Sequence, residues 1–157
     1  MDSSNQTDLT RIFDSIEYPE AYRLTYLANA IVFPAYADIK RDFGLIRAEY
    51  ILLVCLSHYD ELTAQDVARI SRHPRNTISR AVHRMMDEGF IDRAPDPDDG
   101  RQSRLRITSD GRDLHQKISS YLTSRQDEVL AALSTDERAT LMQILKKAAL
   151  HVAQLEN

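Results

Sequence analysis

A chain of 157 residues that is 43% hydrophobic can bury a core, which excludes a disordered chain. No run approaches the roughly 20 apolar residues of a membrane span, and the best one, YLANAIVFPAYA (Tyr26 to Ala37), is short and holds a proline. The formal net charge of -4 argues against a uniformly basic nucleic-acid binder, and a single cysteine, Cys55, excludes an internal disulfide framework and fits a reducing cytoplasm.

Residues 1–17 are polar and are expected to be a flexible N-terminus, with neither the basic start nor the apolar core of an export signal. Pro19 stands where a first-turn proline would, and EAYRLTYLANAIVFPAYADIKRDF reads as a long helix ending at Gly44. It is apolar on nearly every side between Leu24 and Ala37, so it needs cover all round, from its own core or a second chain. Pro34 is expected to kink or split it.

RAEYILLVCLSHY reads as a second, largely buried helix, with Cys55 as a small hydrophobe. LTAQDVARIS is a short third one with Thr63 as N-cap; Asp66 makes only part of a capping box, which prefers Glu or Gln. Pro74 then opens PRNTISRAVHRMMDE, closed by Gly89. FIDRA and SRLRIT alternate apolar and polar residues as half-buried strands do, and PDPDDGRQ between them has turn composition, giving a β-hairpin. A helix from SDGRDLHQK onward follows. Ser134 and Glu137 cap the last one, in which Leu141, Leu145, Ala148, Val152 and Leu155 are spaced 4, 3, 4, 3 as a coiled-coil-like seam.

The charge is unevenly distributed. From Arg69 to Arg106 nine arginines face six acids, a local balance of +3, while all four lysines lie elsewhere. Guanidinium forks suit phosphate and guanine edges better than an ammonium does.

Two helices joined by a tight turn and followed by a hairpin describe a winged helix-turn-helix, so the fold class is mainly α with a small β-hairpin wing. Ala68 and Ile78, ten residues apart, suit a close crossing of the two helices. In the second, Ile78, Ala81, Val82, Met85 and Met86 point inward; Arg75, Asn76, Thr77, Ser79, Arg80, His83 and Arg84 point outward. That polar face starts at a helix N-terminus, the part of a recognition helix that meets bases. Arg80 suits a guanine edge, Asn76 an adenine, and Thr77 and Ser79 phosphate. On the hairpin, Arg101 and Arg104 suit a narrow minor groove, and Asp99 is placed to hold an arginine in one rotamer.

Asp99-Gly-Arg101-Gln-Ser-Arg-Leu105-Arg-Ile107-Thr108 resembles the wing signature D-x-R-x-x-x-L-x-L-T of the multiple-antibiotic-resistance-regulator (MarR) family, with Ile107 for the commoner Leu. TISRAVHRMMDEGFIDR and DFGLIRAEYILLVCL extend the resemblance, and the order of elements covers about Pro19 to Leu155. Arg72 departs from the pattern, since such units often have Gly there. The resemblance implies a single domain over 18–157, with a DNA-binding lobe at 45–108 and dimerisation helices at 18–44 and 109–157. It also implies a homodimer on a pseudo-palindromic duplex, mostly a repressor, that a small ligand or oxidation releases.

Tyr22, Arg23, Tyr26, Tyr36 and His58 are candidates for an aromatic or phenolic effector pocket, with dimer core as the other reading of the tyrosines. No cofactor and no metal site is expected, because the five histidines lack ligand spacing. Four glycines build no phosphate-cradling loop, so an enzyme is not expected. Two alternatives stand beside the DNA-binding regulator: a winged-helix protein-interaction module, and a metal-dependent enzyme built on Asp96, Asp98 and Asp99.

Overall fold

The computed structural model describes residues 10–95 and 103–155. Its elements are α1 (Thr10–Ser15), α2 (Pro19–Phe43), α3 (Arg47–His58), α4 (Ala64–Ser71), α5 (Arg75–Asp87), β1 (Ile91–Pro95), β2 (Ser103–Ile107), α6 (Ser109–Val129) and α7 (Thr135–Leu155). They form two compact units, Val32–Thr123 and the pair of segments Met1–Ile31 and Ser124–Asn157. The boundaries fall inside α2 and α6, so the first unit is wider than the 45–108 lobe expected from the sequence.

Val32–Thr123 holds the main core. Ile39, Tyr50, Leu52, Leu53, Leu56, Val67, Ile78, Met85, Leu105 and Ile118 are buried together, drawn from six helices and strands. α4 starts on a complete capping box: Thr63 Oγ1 accepts from the Asp66 backbone N–H (3.1 Å), and Asp66 Oδ2 accepts from the Thr63 N–H (3.1 Å). Aspartate therefore closes a box that the sequence suggested only in part. The Thr63 hydroxyl also donates to Asp66 Oδ2 (2.7 Å), and this bond first, then that from the Thr63 N–H, holds the Asp66 carboxyl below its ordinary range.

The turn between α4 and α5 is made at Arg72, whose φ of 58° and ψ of 27° are left-handed, with its N–H on the Arg69 carbonyl. The position needs the conformation that glycine usually supplies, and here an arginine adopts it, at a cost of about 1 kcal/mol. Pro74 is the N-cap of α5 and Arg75 its first residue. The helix ends in a Schellman motif: Phe90 N–H bonds Met85 O, Gly89 N–H bonds Met86 O, and Gly89 has a φ of +76°.

β1 and β2 pair antiparallel with Ile91 opposite Ile107 and Arg93 opposite Leu105. Leu62 adds an isolated bridge to Leu105 through two backbone bonds, fastening the hairpin to the residue before the α4 cap. The residues of the hairpin tip, 96–102, lie outside the described residues.

In the other unit, α1 is helical where a flexible end was expected. Phe13 sets its ring edge-on to Tyr22 and Tyr26 (centroids 6.0 and 5.2 Å), and Arg23 Nη2 donates to the Phe13 carbonyl (2.6 Å). α7 starts on the expected box, with Ser134 N–H on Glu137 Oε2 (2.8 Å), and Arg138 pairs with Asp127. No residue of α7 is buried; Leu141 and Leu145 are half-buried, and Ala148, Val152 and Leu155 are exposed. α2 runs unbroken through Pro34, so the expected split does not occur. Among the described residues no helix is long and apolar enough to cross a membrane.

Candidate nucleic-acid interface

The interface is built on α5. Ile78, Ala81, Val82 and Met85 fall on one side and are buried against α3 and α4. The 3.6-residue period then sends Arg75, Asn76, Ser79, Arg80 and His83 to solvent, and all five are exposed. Thr77 is half-buried, at the border of the two faces.

Arg84 departs from the expected set. It lies seven residues after Thr77 on the same border, on the side of α3. Its Nη1 donates to both carboxylate oxygens of Glu49 (2.9 and 2.8 Å), and its Nη2 donates to the Gly44 carbonyl (3.0 Å). Glu49 is buried and also accepts from the Ile46 N–H (2.8 Å). The guanidinium that the sequence assigned to DNA thus holds the recognition helix to the start of α3. Sequence reasoning missed Glu49, although one charged residue inside the run AEYILLVCL was the signal that could have found it.

On the wing, Arg104 lies opposite Ala94 in the ladder and is half-buried. Arg106 is bound to Glu61. Arg101 and Asp99 lie outside the described residues, as do Asp96 and Asp98 of the alternative metal reading. Among the described residues no three His, Cys, Asp or Glu side chains converge as metal ligands.

The five candidate effector residues divide between the two units. Tyr22, Arg23 and Tyr26 gather around Phe13. In Val32–Thr123, Tyr36 sits edge-on to Tyr50 (6.2 Å) under the Arg47 guanidinium (5.6 Å to the ring centroid). Burial pushes both tyrosine hydroxyls up, that of Tyr50 to about 12. His58 Nδ1 meets the Val54 carbonyl (2.8 Å), as a histidine in the last turn of a helix can. Cys55 is buried, which raises its thiol pKa and disfavours the reactive thiolate.

His115 of α6 completes this group and was not foreseen. Its ring stacks on Tyr50 (5.6 Å, 25°) and stands edge-on to His58 (6.4 Å), and its Nδ1 is buried without a hydrogen-bond partner among the described residues. Burial first, then the neighbouring His58, lowers its pKa. A depressed imidazole means that the unfolded chain takes up the proton first. Its contribution is therefore full above the unfolded value of about 6.5 and is lost as pH falls towards the folded value. Urea unfolding at pH 7.5 and 5.5 should show a loss of stability on acidification that His115→Phe, which keeps the stacked ring, reduces. An equal loss in both proteins would place the acid sensitivity elsewhere.

With this geometry in view, a family model described as the MarR family matches residues 43–102, which run from the end of α2 into the hairpin. Over this stretch the chain is similar to the MarR family. The matched stretch holds the winged helix-turn-helix, and members of that family are DNA-binding transcriptional regulators rather than enzymes. The chain is 28% identical over 137 residues to the multiple antibiotic resistance protein MarR of Salmonella typhimurium, covering 80% of this chain and 88% of that protein. A MarR transcriptional regulator from Methanosarcina mazei shares the fold at a TM-score of 0.77 and 17% identity, over 86% of this chain and 96% of that one. PcaV from Streptomyces coelicolor, solved in complex with its natural ligand, does so at 0.66 and 24%, over 93% and 97%.

Proposed function

We propose that the chain acts as a homodimeric, ligand-released repressor that reads a pseudo-palindromic duplex with α5. The observation that carries the reading is the division of α5 into a buried apolar stripe and an opposite face of Arg75, Asn76, Ser79, Arg80 and His83. Arg80 and Asn76 read base edges, while Arg75, Ser79 and Thr77 hold phosphates. Arg101 and Arg104 extend the grip to the minor groove, with Asp99 orienting an arginine.

Apolar side chains left in water support the dimer. Leu24 and Phe33 on α2, and Ile144, Val152 and Leu155 on α7, are 51%, 65%, 60%, 40% and 71% exposed. A second copy gives them the cover that one chain does not, along the seam of Leu141, Leu145, Ala148, Val152 and Leu155. Two symmetric α5 helices then meet half-sites about 34–36 Å apart. For the effector, an aromatic carboxylate or phenol suits Arg47, Tyr36 and His58 chemically, and PcaV, a neighbour in fold, is a ligand-binding regulator. The setting is the cytoplasm, where the regulated DNA lies.

The test is titration of duplexes with single base changes at several salt concentrations, with the mass of the free protein measured by sedimentation. Wild type should sediment as a dimer and bind with a steep salt dependence. Arg80→Ala should relax preference at one base position by about 1–3 kcal/mol. Equal weakening on every duplex would make Arg80 a phosphate contact, and a monomer indifferent to DNA would overturn the reading.

A further inference from the structure

A cleft of about 380 Å³ opens between α5, the start of α4 and the hairpin. Ser79 and His83 line it from α5, Gln65 from α4, and Arg93 and Ser103 from the two strands, over an apolar floor that includes Val82 and Leu105. The register explains the wall: Arg93 lies directly opposite Leu105, so both side chains leave the hairpin on one face. Among the described residues no Asp or Glu lines the cleft. Asp92, beside Arg93, lies opposite Arg106 and leaves the hairpin on the other face, while Asp66 is engaged with Thr63 and Arg69, and Glu61 with Arg106. What remains is a row of donors and an arginine above an apolar surface. That chemistry fits an anionic oxygen group carried on an apolar or sugar-like frame.

We infer that this cleft seats one phosphodiester of the duplex with its deoxyribose, and that Arg93 and His83 hold the phosphate while Val82 and Leu105 receive the sugar. The inference rests on the DNA-binding reading and deepens it. If α5 lies in a major groove and the hairpin in the neighbouring minor groove, one sugar-phosphate strand must pass between them, and the cleft lies between those two elements. The contact reads no base. It sets the register in which Arg80 and Asn76 meet theirs. A free small carboxylate or inorganic phosphate shares the chemistry, so the experiment separates the sources.

The protein is titrated with two duplexes, one recovered by selection from a randomised pool and one unrelated, over a range of salt. Arg93→Ala should weaken both by the same factor and lower the slope of log K against log salt by about 0.9, the loss of one phosphate. Arg93→Lys, which keeps a charge, should restore most of the slope. A single methylphosphonate moved along the selected duplex should weaken wild type at several steps, of which one in each half-site leaves Arg93→Ala unaffected. Because Arg93 is exposed, the variant should keep the wild-type melting temperature without DNA.

An unchanged slope in Arg93→Ala, with wild type binding normally, would overturn the inference and leave the DNA reading intact. So would a change of preference confined to one base, or an Arg93-dependent rise in melting temperature with benzoate or inorganic phosphate beside an unchanged slope. Failure of wild type to bind either duplex at low salt would instead overturn the DNA reading itself.

Discussion

Replacing Gly111 with alanine should lower the stability of the chain by at least about 3 kcal/mol, the upper range for a forced overpacking. Gly111 is the third residue of α6, and its N–H bonds Thr108 Oγ1 (3.1 Å). Thr108 in turn donates its hydroxyl to the Gly89 carbonyl (2.8 Å) and its N–H to the Phe90 carbonyl (3.1 Å). The start of α6 is thereby drawn against the chain that leaves α5. A Cβ at position 111 would stand 2.1 Å from the Phe90 carbonyl oxygen and 2.9 Å from an Ile107 side-chain carbon. Backbone cannot rotate away as a side-chain tip can, so the joint must open and the three bonds around it must stretch. Gly89→Ala is the control. Its φ of +76° strains an alanine by about 1–2 kcal/mol, but nothing stands within 4 Å of the added carbon. Thermal melts of the two variants should differ by several degrees, with Gly111→Ala the lower. A reversed order would show that α6 does not approach Phe90 so closely.

Arg84→Ala should cost about 3 kcal/mol and leave base preference unchanged. Removing the guanidinium strands the Glu49 carboxylate, whose side chain is 5% exposed, with the Ile46 N–H as its remaining donor among the described residues. Breaking a buried pair on one side costs about 3–5 kcal/mol; the lower end applies because Arg84 itself is 42% exposed and partly screened by water. Glu49→Leu combined with Arg84→Met should recover most of the loss, since filling both positions with apolar groups removes the stranded charge. The measurements are urea unfolding for stability and duplex titration for preference. An Arg84→Ala protein of wild-type stability with altered base preference would return Arg84 to the DNA-reading set.

Gly111 and Arg84 both act across contacts that local sequence patterns do not encode. The α5 stripe could be read from spacing alone, because a helix repeats every 3.6 residues whatever it packs against. Arg80 and His83 were assigned outward on that basis and are exposed. Arg84 was placed by the same rule and differs, because its border position lets it turn to Glu49, 35 residues away in the chain. Pro34 shows the opposite limit: proline removes one hydrogen bond, but the helix around it continues.

What the amino-acid order determined by itself was local: the caps at Thr63 and Ser134, the turn before α5, the Gly89 stop, the hairpin, and an arginine-rich segment in an acidic chain. Each depends on residues within about one turn of one another, where backbone sterics and short hydrogen bonds decide the outcome. Only the tertiary structure decided the Glu49–Arg84 pair, the Leu62–Leu105 bridge, the stacking of His115 on Tyr50, the approach of Gly111 to Phe90, and the cleft beside Arg93. Those depend on the register between segments far apart in the chain, which close packing sets and no single residue encodes.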